Sequence, residues 1–294
     1  MQALSTWPLA DRRRITGVFT DIDDTLTTAG AITPDALQAL ADLKAAGLHV
    51  IPITGRPIGW CEPFMAGSSG AAWPVDAMVA ENGAVAFVHG TEVQDKNSLQ
   101  PAWNVRKPLS KLYQQDTATR TANQTRMRAI AARIVAEVPG VQLSRDSAGR
   151  ETDLAFDYAE FARLSPDTVQ QVLERLRAEG MQTTVSSIHI HGCFGDFNKW
   201  QGACWIAREL LDVDLPRALD RWVFVGDSGN DQAMFQHFRH SVGVANIAHF
   251  APQLTHLPRY VAQAARGAGF AEVARALLEA VSYKHLTLPT SALR

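Results

Sequence analysis

Apolar residues along this 294-residue chain fall into two rhythms that alternate. Short β-branched or aromatic runs end abruptly on polar residues. Thr16 to Thr20 stops at Asp21, Leu48 to Ile53 at Thr54, Ala77 to Ala80 at Glu81-Asn82-Gly83, and Trp222 to Val225 at Gly226-Asp227. Such runs predict buried strands, each with polar residues at its C-terminal end. Between the first two, Thr33 offers an N-cap, Pro34 sits at the first helical position, and Leu37, Leu40 and Leu43 share one face before Gly47. A strand, helix, strand unit with a right-handed crossover would bring Asp21 and Thr54 to the same sheet edge. The predicted fold class is α/β, a Rossmann-like doubly wound and mostly parallel sheet, and open sheets of this kind bind ligands beyond their strand ends.

From residue 84 to 197 the rhythm changes to short strands and two helices, which predicts an inserted α+β cap domain. The core is then discontinuous, 1–83 and 198–282. Met127, Ile130, Ile134 and Val138 form one helical stripe. A second helix opens at Ser165-Pro166, runs through Val169, Val172, Leu173 and Leu176, and stops at Gly180. Asp153 to Tyr158 and Met181 to Phe194 read as strands. Ile188 and Ile190 alternate with His189 and His191, so the two histidines are expected on one face, read here as a polar outer face, the alternative being a pair that binds metal or contacts a substrate hydroxyl or phosphate. Arg150 is a candidate substrate contact from this region, together with Arg145 and Glu151. After Lys199 the core resumes with a helix to Leu211, strands near Ser241 to Ala245 and Tyr260 to Ala262, and a closing helix from Phe270 to Val281. Residues 283–294 lack a periodic partner and are expected to be a non-native tail.

Composition narrows the classes. A hydrophobic fraction of 46% supports a sizeable core, and a net charge of −2 lacks the excess of Lys and Arg that a nucleic-acid or membrane-surface role needs. No run approaches the roughly 18 apolar residues of a bilayer span. Cys61, Cys193 and Cys204 form no pair at metal-ligand spacing. A cytoplasmic protein, monomer or homodimer, acting on a small molecule is expected.

The candidate chemistry sits on the strand tips. Two carboxylates two residues apart, Asp21 and Asp23, can divide phosphoryl transfer, one attacking and one moving protons. Crowded acids of this kind suit Mg²⁺, which prefers oxygen ligands. Thr54 and Gly55 can hold a phosphate oxygen, Lys199 can neutralise its charge, and Asp227, Asn230 and Asp231 form one more acidic loop. The Asp21 cluster alone reads equally well as a polar loop capping a helix.

In this order, Asp21-x-Asp23, Thr54, Lys199 and Gly226-Asp227 resemble the four motifs of the haloacid dehalogenase superfamily of phosphotransferases. The resemblance implies Asp21 as nucleophile and Asp23 as acid/base, with Thr54 and Lys199 on the transferring phosphoryl group. It implies Mg²⁺ held by Asp21, the Asp23 backbone carbonyl and Asp227, with Asn230 and Asp231 lining the loop and Asp231 either ligand or support. Asp24 stands where members often have glycine, and aspartate tolerates unusual backbone angles. An insert between the Thr54 and Lys199 motifs resembles the subclass of Cof-type, sucrose-phosphate and mannosyl-phosphoglycerate phosphatases and phosphomannomutases. A phosphatase for a sugar or polyol phosphate is therefore expected. The alternatives are a phosphosugar mutase and a non-catalytic phospho-aspartate receiver.

Overall fold

A computed structural model of the protein describes residues 1–68, 70–89 and 108–286. Parts of the expected inserted segment (90–107) and tail (287–294) lie outside the described residues.

Six parallel strands form the central sheet, in the order Gln2–Ala3, Tyr260–Val261, His240–Gly243, Trp222–Gly226, Gly17–Thr20 and His49–Pro52. A parallel bridge from Ile53 to Val79 leads on to Ala77–Ala80. The strands from Gly17, Trp222 and His240 are buried along their whole length, the signature of a sheet covered on both faces. On one face Val18, Val50 and Val223 pack with Leu40 and Leu43 of the helix Pro34–Ala45 and with Phe270 and Leu277 of the closing helix Arg266–Leu286. On the other, Phe19, Ile51 and Phe224 pack with Ala203 and Ile206 of the helix Lys199–Leu211. This is the doubly wound α/β arrangement that the apolar runs predict. The closing helix continues past Ser282 to Leu286, into the expected tail. No helix among the described residues is long and apolar enough to cross a membrane.

Register fixes where the polar residues emerge. Thr20 pairs with both Val225 and Pro52, and Asp21 N–H extends the ladder by donating to Val225 O at 2.8 Å. The residues that follow each strand therefore meet at one sheet edge.

Ala77–Ala80 continues into an antiparallel meander with Val85–His89 and Leu109–Tyr113, so the expected domain limit at residue 84 falls inside a paired hairpin. Gly83 at its turn has φ 113°, and a Cβ there would lie 2.7 Å from Asn198 O. Only glycine allows that turn to rest on the start of the Lys199 helix.

A second sheet, wholly antiparallel, runs Gln182–Val185, His189–Cys193, Asp153–Asp157 and Gln142–Leu143. Two helices cover one face, Thr117–Glu137 capped by Asp116 and Pro166–Ala178 capped by Ser165. Leu154, Phe156 and Ile190 point into that layer against Met127, Ile134, Val172 and Leu176. Period-two alternation then sends Asp153, Ala155, Asp157, His189 and His191 to the opposite face. That face rests on the strand tips of the central sheet. His189 and His191 are 1% and 3% exposed, so the expected polar outer face is instead an internal one. Alternation specifies a shared face, and only packing decides which face is covered.

Candidate active site

Asp21 leaves the strand Gly17–Thr20 at its tip, and its carboxylate meets the Lys199 ammonium. Lys199 is the first residue of its helix, whose Asn198 cap accepts from Gln201 N at 3.0 Å. This start aims the lysine back across the sheet edge, where it is fully buried and also pairs with Asp231 Oδ1 at 2.7 Å. Asp231 Oδ2 accepts the backbone N–H groups of Asp227 at 2.8 Å and Ser228 at 3.0 Å. Both Asp231 oxygens are thus engaged by protein donors. Asp227 accepts from Asn246 Nδ2 at 2.8 Å and from Thr25 Oγ1 at 3.4 Å, and among the described residues it forms no ion pair.

Asp21, Asp227 and Asp231 bring carboxylate oxygens within 4.8 Å of one another. Three buried acids against one ammonium leave negative charge uncompensated in a poor dielectric. Burial pushes the Asp21 carboxyl up to about 7, with Asp231 and Asp23 adding and Lys199 opposing. Burial likewise drives Asp227 well above the carboxylate range, with Asp21 and Asp231 adding. A site of oxygen donors carrying excess negative charge fits Mg²⁺. Asp21 and Asp227 have oxygens free of cationic or backbone saturation, whereas Asp231 is committed to Lys199 and its own loop.

Thr54 is fully buried. Its N–H donates to Val79 O at 2.9 Å, its Oγ1 accepts from Arg56 N at 3.0 Å, and its carbonyl accepts from Asn82 N at 2.9 Å. Gly55 follows, and a Cβ there would lie 2.9 Å from His191 Nε2. The glycine is what lets the second sheet approach so closely.

Asp23 stands outside the acid trio but lines the same small cavity as Asp21. Arg56 grips its carboxylate through Nε at 3.0 Å and Nη2 at 2.9 Å, then reaches Asp146 at 3.2 Å and Glu160 at 2.9 Å in the segment that carries the second sheet. Arg150, the sequence candidate for substrate contact, is a tie of the same kind. Its Nη1 donates to Gly55 O at 2.9 Å and to Asp153 at 2.8 Å, and its Nη2 to Asp146 at 3.2 Å. It does not line the cavity over the acids. Asn230 does, with its amide bound to Asn82 Oδ1 and Ser228 Oγ at 3.0 Å each. Arg145 stacks on Phe161, and Glu151 accepts from Lys111 and Tyr113. Asp24 has φ 55°, the left-handed region expected where glycine is the commoner choice.

Sequence reasoning missed the roles of Arg56, Asp146, Asp153, Glu160 and Glu81. Glu81, also at positive φ, accepts from Ile58 N at 3.1 Å and Glu151 N at 3.0 Å, and burial pushes it up to about 7. The signal available was its position, a charged residue ending a buried strand.

Between these groups lies a closed cavity of about 10 Å³. Asp21, Asp23, Gly55 and Arg56 form its floor, and the turn 186–188 with the two histidines forms its roof. That is room for about one water. A cleft of about 650 Å³ lies between the helix Pro166–Ala178 and the segment 250–254, lined also by Val185 and Gly229.

Residues 18–135 match the family described as haloacid dehalogenase-like hydrolase. No curated protein matches the chain. Among solved structures, a Thermoplasma acidophilum protein is 16% identical over 90% of this chain and 98% of its own, with a TM-score of 0.64. The sucrose-phosphatase of Synechocystis sp. is 17% identical over 92% and 98%, with a TM-score of 0.60. The C-terminal domain of C. albicans trehalose-6-phosphate phosphatase is 16% identical over 92% and 95%, also at 0.60. Likeness at that identity is likeness of fold, and it extends along nearly the whole chain. The segment that holds Asp21, Asp23 and Thr54 is thus similar to the haloacid dehalogenase-like hydrolases, and the fold of nearly the whole chain is similar to that of these phosphatases.

Proposed function

We propose that the protein is a Mg²⁺-dependent phosphatase that hydrolyses a small sugar or polyol phosphate through an aspartyl-phosphate at Asp21. The observation that carries this reading is the convergence of Asp21, Lys199, Asp227 and Asp231 at one strand edge, buried and short of positive charge. The sucrose- and trehalose-phosphate phosphatases among the fold neighbours support the sugar ester.

In this reading Asp21 attacks phosphorus and the bond to the leaving oxygen breaks, with Asp23 giving that oxygen a proton. Asp23 then takes a proton from the water that attacks the aspartyl-phosphate, and the bond from phosphorus to Asp21 breaks. Arg56 sets the direction of the Asp23 carboxylate. Thr54, Gly55 and Lys199 hold the phosphoryl oxygens. Asp21, the Asp23 backbone carbonyl and Asp227 would hold Mg²⁺, with Asp231 behind them, fixing Lys199 and the loop. Bound there, the ion would offset charge on the transferring group.

The unit inserted between the core halves is proposed to run from Gln114 to Phe197, since the hairpin before it pairs with the core. It serves as a cap. A cavity sized for one water admits an ester only when cap and core part, and closure then excludes bulk water.

The test is phosphate release from a panel of sugar, polyol and nucleotide monophosphates, with Mg²⁺ or with chelator. Asp21→Asn should lose activity by at least about a thousandfold while keeping its circular dichroism spectrum. Undiminished turnover in that variant would remove Asp21 from the mechanism.

A further inference from the structure

His191 is 3% exposed, and its two ring nitrogens are treated differently. Nδ1 lies 3.1 Å from Asp153 Oδ2, while Nε2 is buried with no hydrogen-bond partner. An orphaned buried nitrogen is costly, so a group that satisfies it is expected in the working state. The imidazole lines the small cavity, with Nε2 against Gly55, the residue next to Thr54 of the phosphoryl site.

The network fixes the tautomer. Both Asp153 oxygens accept from Arg150 Nη1, at 2.8 Å and 3.0 Å, and this pairing favours the carboxylate against the burial that pushes the group up to about 6. Nδ1 therefore bears the hydrogen and donates it, and Nε2 presents a bare lone pair. Burial first, then the nearby Arg150 and His189, hold the ring well below its ordinary value and keep it neutral. A lone pair repels phosphoryl oxygens, which are acceptors themselves. It suits a hydroxyl.

Cations give the complementary restriction. Arg56, the guanidinium that lines the cavity, is committed to Asp23, Asp146 and Glu160. Lys199 below is committed to Asp21 and Asp231. Among the described residues lining the cavity, no cation is left over for a second anion close to the ester.

Building on the phosphatase reading, we propose that His191 is a specificity-determining residue whose Nε2 accepts a hydrogen bond from a hydroxyl of the leaving group. The cavity then selects esters whose neighbouring carbons bear hydroxyls and no negative charge. Arg150 and Asp153 are positioning residues that hold the imidazole in the accepting tautomer.

The experiment compares three-carbon esters of one size: glycerol 1-phosphate, propyl phosphate and 3-phosphoglycerate, each with Mg²⁺, for wild type, His191→Ala and His191→Gln. Wild type should prefer glycerol 1-phosphate to propyl phosphate in kcat/KM, and to 3-phosphoglycerate by at least about tenfold. In His191→Ala the preference over propyl phosphate should shrink roughly ten- to a hundredfold, mainly through KM, because an interaction worth a buried hydrogen bond is gone. His191→Gln, whose amide oxygen still accepts, should recover part of it. An unchanged preference in His191→Ala, or faster turnover of 3-phosphoglycerate by wild type, would overturn the inference while leaving the phosphatase standing. Should the alanine variant not fold, the glutamine variant must show a reduced preference, and the wild-type comparison still decides. Release from none of these esters nor from the wider panel would overturn the phosphatase, and this inference with it.

Discussion

Two clusters of buried charge face each other across the cavity, and they are built on different principles. In the core, Asp21 and Asp231 share Lys199, and Asp227 has only an amide and a hydroxyl. Across the interface, four carboxylates touch guanidinium groups: Asp23 and Glu160 touch Arg56, Asp153 touches Arg150, and Asp146 touches both. The carboxyl groups do not follow the pairing alone, since burial pushes Asp153 up to about 6 even beside Arg150. Asp21 is pushed up to about 7. For Asp146, burial acts upward, but Arg150, Ser144 and Arg56 outweigh it and bring the group down to about 2. One cluster is short of positive charge among the described residues, whereas the other is matched by protein groups and acts as a latch.

The largest effect that could break this contrast is expected from Arg56→Met. It strands Asp23 and leaves Asp146 with Arg150 alone and Glu160 with His189 alone, at an interface where side chains are 8–20% exposed, and losing one partner of a buried network costs about 3–5 kcal/mol. Urea unfolding should register that loss, and Mg²⁺ should not restore it. A cost under about 1 kcal/mol would mean that the contacts are not a latch.

Mg²⁺ itself should act on the other cluster. At a hundredfold excess over its Kd, a ligand bound only by the folded state adds about 2.7 kcal/mol. Thermal unfolding of the wild type should move up with Mg²⁺ and return with chelator, and Asp227→Asn should blunt the response. A midpoint indifferent to Mg²⁺ would place the missing charge elsewhere.

A smaller effect separates the clusters by pH. Asp146 at about 2, against an ordinary 3.8, has its folded-state value depressed. Its contribution of about 2 kcal/mol is therefore present above about pH 4 and is lost as pH falls toward 2. Asp146→Asn should lower stability at neutral pH and flatten the acid limb between pH 4 and 2. An acid limb identical to wild type would remove Asp146 from the latch.

Much of this was legible in the chain. The apolar runs ending at Asp21, Thr54, Glu81 and Asp227 gave strands whose C-terminal ends had to meet, because parallel strands joined by right-handed crossovers align their ends. Asn198 before Lys199 marked a helix start that aims the lysine at that edge. Less visible was what pairs across the interface. Arg56 stood in the Thr54-Gly55-Arg56 stretch, yet Asp146 and Glu160 are 90 and 104 residues away from it, and no local period links them.

His189 and His191 mark the boundary between the two kinds of knowledge. Alternation determined that they share a face, since successive strand residues point to opposite sides. Whether that face meets water or the catalytic edge depended on which side of the second sheet the helices Thr117–Glu137 and Pro166–Ala178 chose to cover. Leu154, Phe156 and Ile190 drew the helices to their side, leaving the histidines to the core. The sequence by itself determined the fold class, the order of the motifs and the strand edge on which they lie. Tertiary packing alone decided which charges were matched by protein, which were left short of a partner, and which nitrogen was left bare, because these depend on contacts between segments whose separation no local pattern encodes.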